Sequence, residues 1–152
     1  MAPLVTLVVV TAAARLVGLT GVTYVDTWPE ALAVGLAAMF LLTASAHFAR
    51  PRRAGLIAIV PPAIPRPGLV VTATGLLEIA GAIGLLVSPT WIAGIRTAAA
   101  ICLALLLLVL FPANVYAARA RRHPDAPHTP LVPRTLMQVA FVAAAVVVAV
   151  TA

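Results

Sequence analysis

Very few residues in this 152-residue chain could do chemistry, and their placement is the first clue. Glu78 and Arg15 are ionisable groups set inside long apolar stretches, His47 and Asn114 stand near the ends of two others, and Gln138 lies one turn into the last. Ionisable groups in such surroundings are costly, so they face a protein interior and mark a site or a structural pair. With a rise of about 1.5 Å per residue, Glu78 falls roughly 13 Å and Arg15 roughly 18 Å from the same end of a helical bundle. That offset is within reach of an Arg side chain, so the spacing allows a Glu78–Arg15 ion pair, which reduces the cost of burying either charge. The alternatives are a protonated, neutral Glu78, or a pair that serves only to fix how two helices pack.

The residues around Glu78 add to this. Thr74, Gly75, Gly81 and Ala82 share its helical face, with Gly84 nearby. Small residues let another backbone approach closely, so Glu78 is expected on the tightly packed side of its helix. His47 shares a face with Phe40, Thr43 and Ala44, and Pro112 removes one helix hydrogen bond just before Asn114. His47, Pro61, Pro62 and Asn114 converge on one end of the molecule with Glu78 deeper. They predict a small-ligand pocket open at that end. The competing readings are an interfacial His47 and a rigid linker at Pro61-Pro62.

Catalytic templates fit poorly. The chain offers no second intramembrane His for a bis-histidine haem, no Ser-His-Asp order with an elbow, no phosphate loop and no paired carboxylates. His123, Asp125 and His128 could in principle hold a metal, but they alternate with prolines and do not complete a ligand set, so no metal site is expected. Cys102 is the single cysteine, which excludes an intramolecular disulfide and a dithiol relay. It reads as a small buried hydrophobe in a Leu-rich helix.

The elements that must position these groups are membrane helices. Apolar residues make up 63% of the chain and charged ones 9%, against about a quarter charged in soluble domains. Such a chain cannot cover a water-soluble globule. The net charge of +6 comes from ten Arg, with no Lys, against four acidic residues, and the Arg are topology markers and not a nucleic-acid patch. The dominance of Ala, Val and Leu over Lys is a bias of GC-rich bacterial genomes. Five stretches approach the roughly 20 residues that a spanning helix needs: 3–20, 30–48, 69–88, 91–117 and 134–152. They predict one all-α domain, a polytopic helical bundle in the lipid bilayer. The first stretch lacks the positive charge of a signal-peptide start and reads as a retained helix.

Arg placement orients the bundle. Arg50, Arg52, Arg53, Arg66, Arg119, Arg121, Arg122 and Arg134 fall on the side of the N-terminus (side A), and only Arg96 falls near the other (side B). This bias predicts a plasma-membrane protein with a cytoplasmic N-terminus and an external C-terminus. Tyr24, Trp28 and Trp91 then gather at side B as an aromatic belt. The apolar segment 54–60, flanked by Arg and Pro, is too short to span and is expected to lie in the headgroup zone or fold under the bundle.

The stretch from His47 to Asn114 resembles the DoxX family of small bacterial membrane proteins. The resemblance rests on His47-Phe48 followed by Pro51, on Ile59-Val60-Pro61-Pro62 with Pro65, on Thr74-Gly75 through Glu78 to Gly81-Ala82 and Gly84, and on Phe111-Pro112-Ala113-Asn114. It spans about residues 30 to 150 and implies a four-helix core with the first span as an addition. It also implies a membrane subunit or anchor of a redox complex, with oxidoreductases as partners and a quinone as a possible small ligand near His47, Glu78 and Asn114. Two further readings stay open: an assembly or scaffolding protein without a ligand of its own, and a small transporter, in either case with homo-oligomers allowed. Whether the chain itself is an enzyme is left undecided by these residues.

Overall fold

The computed structural model describes residues 1–119, 123–126 and 129–152. Arg121, Arg122 and His128 lie outside the described residues. Among the described residues six helices follow one another: α1 (Ala2–Gly18), α2 (Trp28–Phe48), α3 (Arg52–Ala58), α4 (Pro67–Leu86), α5 (Ile95–Arg119) and α6 (Leu131–Thr151), with a 3-10 turn at Thr23–Val25 before α2. Among the described residues there is no strand. The chain is therefore all-α, and α2, α4, α5 and α6 are long and apolar enough to cross a membrane. They correspond to the expected stretches 30–48, 69–88, 91–117 and 134–152. The fifth expected stretch is α1, apolar but only 17 residues long.

Local sequence explains the helix boundaries. Thr27 caps α2 through a capping box: its hydroxyl accepts the Glu30 backbone N–H, while the Glu30 carboxylate accepts the Thr27 N–H at 3.1 Å. Pro29 and Pro67 sit in first turns, where a missing N–H costs nothing. The fourth long helix begins at Ile95 and not at 91, because Gly94 takes a φ of 75° that ends the preceding turn.

The four long helices form a ring in which α2 packs on α4, α4 on α5, α5 on α6 and α6 on α2, and α1 lies against the outside of α2. The ring encloses Leu36, Met39 and Phe40 of α2, Leu85 of α4, Leu103 of α5 and Val148 of α6, all fully buried. Its outer surface is apolar as well: Leu76, Leu77, Leu105, Val109, Val139 and Val150 are all exposed. A water-soluble bundle would have a polar outer face, whereas a lipid-facing one has no need of it.

Glycines set the closest approaches. A Cβ on Gly75 would stand 2.6 Å from the His47 Cβ, and one on Gly84 would stand 2.7 Å from the Ala99 Cβ. Helix α4 thus meets α2 through one small residue and α5 through another. The 54–60 segment packs on α2 and α4. Most of it forms α3, whose Gly55 lies against the backbone of Asp125 and Ala126, so the two side A connections touch.

Candidate functional site

The site grows from the α2–α4 contact. Because Gly75 lets the end of α2 approach α4 closely, the His47 imidazole reaches the α4 backbone. Its Nδ1 lies 2.7 Å from the Val71 carbonyl and 3.1 Å from the Thr74 hydroxyl. A carbonyl only accepts, so Nδ1 carries the hydrogen in the Val71 bond. Nε2 then points to Glu78, 3.5 Å from Oε1. The other carboxylate oxygen, Oε2, lies 2.7 Å from the Thr43 hydroxyl, one turn before His47 on α2. Both His47 (8% exposed) and Glu78 (5%) are buried. With one proton shared between imidazole and carboxyl, such a pair is neutral as a unit. A neutral unit is tolerable in an apolar bundle where a lone charge is not.

Arg53 of α3 closes the cluster from side A. Its guanidinium donates to the His47 carbonyl at 2.6 Å, to the Gly68 carbonyl at 3.1 Å and to the Thr72 hydroxyl at 2.9 Å. It thereby satisfies a carbonyl at the C-terminal end of α2 and ties α3 to the start of α4.

A second cluster joins α5 to α6. The Asn114 amide donates to Gln138 at 2.9 Å, Arg134 donates to the Asn114 carbonyl oxygen at 2.9 Å, and Gln138 donates to the Leu107 carbonyl at 2.6 Å. That carbonyl is one residue before the one Pro112 leaves without its intrahelical donor. The proline thus sits where a side chain from the neighbouring helix bonds the α5 backbone.

Several expectations require correction. Arg15 does not pair with Glu78. It sits in the last turn of α1, and its guanidinium lies 5.8 Å from the centre of the Trp28 ring at side B. Helix α1 packs on α2 and not beside α4, and His47 takes the place the arginine was expected to fill. The expected pocket is also dispersed. His47 and Glu78 meet, but Asn114 bonds to α6, Pro62 is exposed beyond α3, and Pro61 is only half-buried. One cavity of about 470 Å3 lies among helix ends at side B, and another of about 320 Å3 lies between α4 and α5. Neither is lined by His47, Pro61, Pro62, Glu78 or Asn114. Cys102 is exposed on the outer face of α5 and not buried. His123 lies 3.6 Å from Asp125, while His128, the other histidine of that loop, is outside the described residues.

One residue escaped the sequence reading. Arg96, counted there only as a charge at side B, is 4% exposed. Its Nε donates to the Leu85 carbonyl at 3.1 Å, and its guanidinium lies 5.5 Å from the centre of the Tyr24 ring. The Tyr24 hydroxyl in turn donates to the Leu86 carbonyl. The available signal was position. Arg96 is the second residue of α5, where the helix dipole disfavours a cation.

Residues 36–149 match DUF8561, a domain of unknown function. The chain belongs to the DUF8561 family. The matched segment starts within α2 and ends within α6, so it takes in the four-helix ring and leaves α1 outside. No curated protein and no solved structure matches the chain.

Proposed function

We propose that this DUF8561 member is a multi-pass membrane scaffold, a subunit that holds partner polypeptides at the bilayer and does not itself turn over a substrate. The observation that carries this reading is the closure of the His47–Glu78 cluster. Thr43, His47, Glu78, Thr74 and Arg53 are bonded to one another or to backbone carbonyls of neighbouring helices. Groups used in this way fix helix positions. The Asn114–Gln138–Arg134 cluster follows the same pattern.

The DoxX resemblance supplies the class of partner, namely oxidoreductases of a redox complex at a bacterial plasma membrane. On this reading α1 crosses as a fifth span. Its 17 residues reach about 25 Å, close to the hydrocarbon thickness of roughly 30 Å. The N-terminus and the Arg-rich connections then face the cytoplasm. A subunit that itself holds a quinone beside His47, Glu78 and Asn114 is the second reading. The bonding of Asn114 to α6, away from the His47–Glu78 pair, favours the scaffold.

Purification from the native membrane in mild detergent, with quantitation of extractable quinone and of co-eluting proteins, tests the choice. The scaffold reading expects oxidoreductase partners in fixed ratio and quinone well below one per chain. Stoichiometric quinone that disappears in a His47→Ala variant would replace it with the ligand-holding reading.

A further inference from the structure

We propose that the side B cavity is a binding site for a phosphate–ammonium zwitterion, the headgroup of phosphatidylethanolamine or its free counterpart, held between Arg96 and Glu30. The inference is independent of the scaffold reading. The cavity measures about 470 Å3, within the size range of small-molecule sites. Among the residues that line it are Thr27 and Glu30 at the start of α2, Arg96 at the start of α5, and Val148, Thr151 and Ala152 at the end of α6. All of these are helix ends, and Trp28 and Trp91 stand exposed at the same end of the bundle. The cavity therefore lies at the depth of lipid headgroups.

Arg96 defines the anion. Its side chain is buried, yet only Nε has a hydrogen-bond partner, the Leu85 carbonyl. Among the described residues no carboxylate, the chain's terminal one included, lies within 4.0 Å of it. The ring of Tyr24 covers one face of the guanidinium. The terminal N–H groups remain for a ligand, and their planar fork suits the paired oxygens of a phosphate. The helix dipole of α5 opposes a cation at this position, and a bound anion offsets both the burial and the dipole.

Glu30 defines the second charge. One of its oxygens, Oε2, accepts from the Thr27 N–H and hydroxyl, and the other is left for a donor. An ammonium with N–H donors satisfies it. A phosphatidylglycerol headgroup brings no cation to this carboxylate, and a choline headgroup brings a cation without a donor. The cavity should therefore rank ethanolamine above both.

The test uses the full chain, purified and delipidated in detergent, titrated with dioctanoyl phosphatidylethanolamine, dioctanoyl phosphatidylglycerol, dioctanoyl phosphatidylcholine and free phosphoethanolamine. Native mass spectrometry and thermal shift report binding. The proposal expects saturable binding of the ethanolamine lipid at least about tenfold tighter than of the other two lipids. Comparable binding of free phosphoethanolamine supports the same site with a soluble source, and weaker binding assigns it to the lipid. Glu30→Gln retains the capping box, which accepts Gln as well as Glu, and should abolish the preference for ethanolamine over glycerol. Arg96→Gln should lose binding by about tenfold or more. Should that variant fail to fold, Thr151→Phe fills the cavity with Arg96 in place and should remove binding alone. Equal binding of all three lipids by the wild type, or unchanged binding in Thr151→Phe, overturns the proposal.

Discussion

His47 and Glu78 face each other across the contact between α2 and α4, with Nε2 of one 3.5 Å from Oε1 of the other and both side chains withdrawn from the surface. Neither residue is held by this pair alone. Val71 fixes the far nitrogen of the imidazole, and Thr43 fixes the far oxygen of the carboxylate. The two helices are thus joined by a continuous chain of polar contacts inside an apolar bundle. This arrangement rigidifies while fully satisfied and becomes costly once one member is lost.

The pair depends on the closeness that Gly75 provides. A valine there would bring its Cβ to 2.6 Å from the Cβ of His47 and 2.9 Å from the ring of Phe48, both on the helix that carries the imidazole. Gly75→Val should destabilise the bundle by about 1–3 kcal/mol, read as a lower unfolding midpoint in detergent. An unchanged midpoint would mean that α2 and α4 separate without penalty.

Arg15 offers a contrast. Its guanidinium is half-exposed above Trp28 and shares no partner with Glu78. Arg15→Gln should therefore change stability by no more than about 1 kcal/mol, the scale of an exposed cation–π contact. A loss of about 3–5 kcal/mol, the cost of breaking a buried ion pair, would restore the Arg15–Glu78 pairing.

Topology is open to a direct check. The proposed five-span topology expects reporter fusions at the two ends to place the N-terminus in the cytoplasm and the C-terminus outside. Both ends on the same side would remove α1 as a span and leave a four-helix protein.

The four long spans were legible because runs of about 20 apolar residues have few other uses. The inward face of Glu78 was legible too, through Gly75 and Ala82 at helical spacing. Its partner was not. Depth along the bundle puts Arg15 and Glu78 at similar height, but height does not say which helices are neighbours, and α1 packs on α2. Thr43, noted as sharing a face with His47, is the hydroxyl that meets Glu78. The exposure of Cys102 was hidden for another reason. Helix α5 is apolar on all sides, so periodicity could not separate the face of Leu103 and Ala104 from that of Ile101 and Cys102. Arg96 was overlooked because a charge near a helix end is ordinarily solvated, and only the packing of Tyr24 and the end of α4 over it shows that it is buried.

The buried polar groups of this bundle bind helices to each other. A double-mutant cycle on His47→Leu and Glu78→Leu, read as unfolding free energy in detergent, tests it most directly. Each single change strands the other partner and should cost about 3–5 kcal/mol, and the double change should cost less than the sum, with a coupling on the order of 2 kcal/mol. Two singles that leave stability unchanged, with no coupling between them, would contradict the claim and return His47 and Glu78 to a role other than packing.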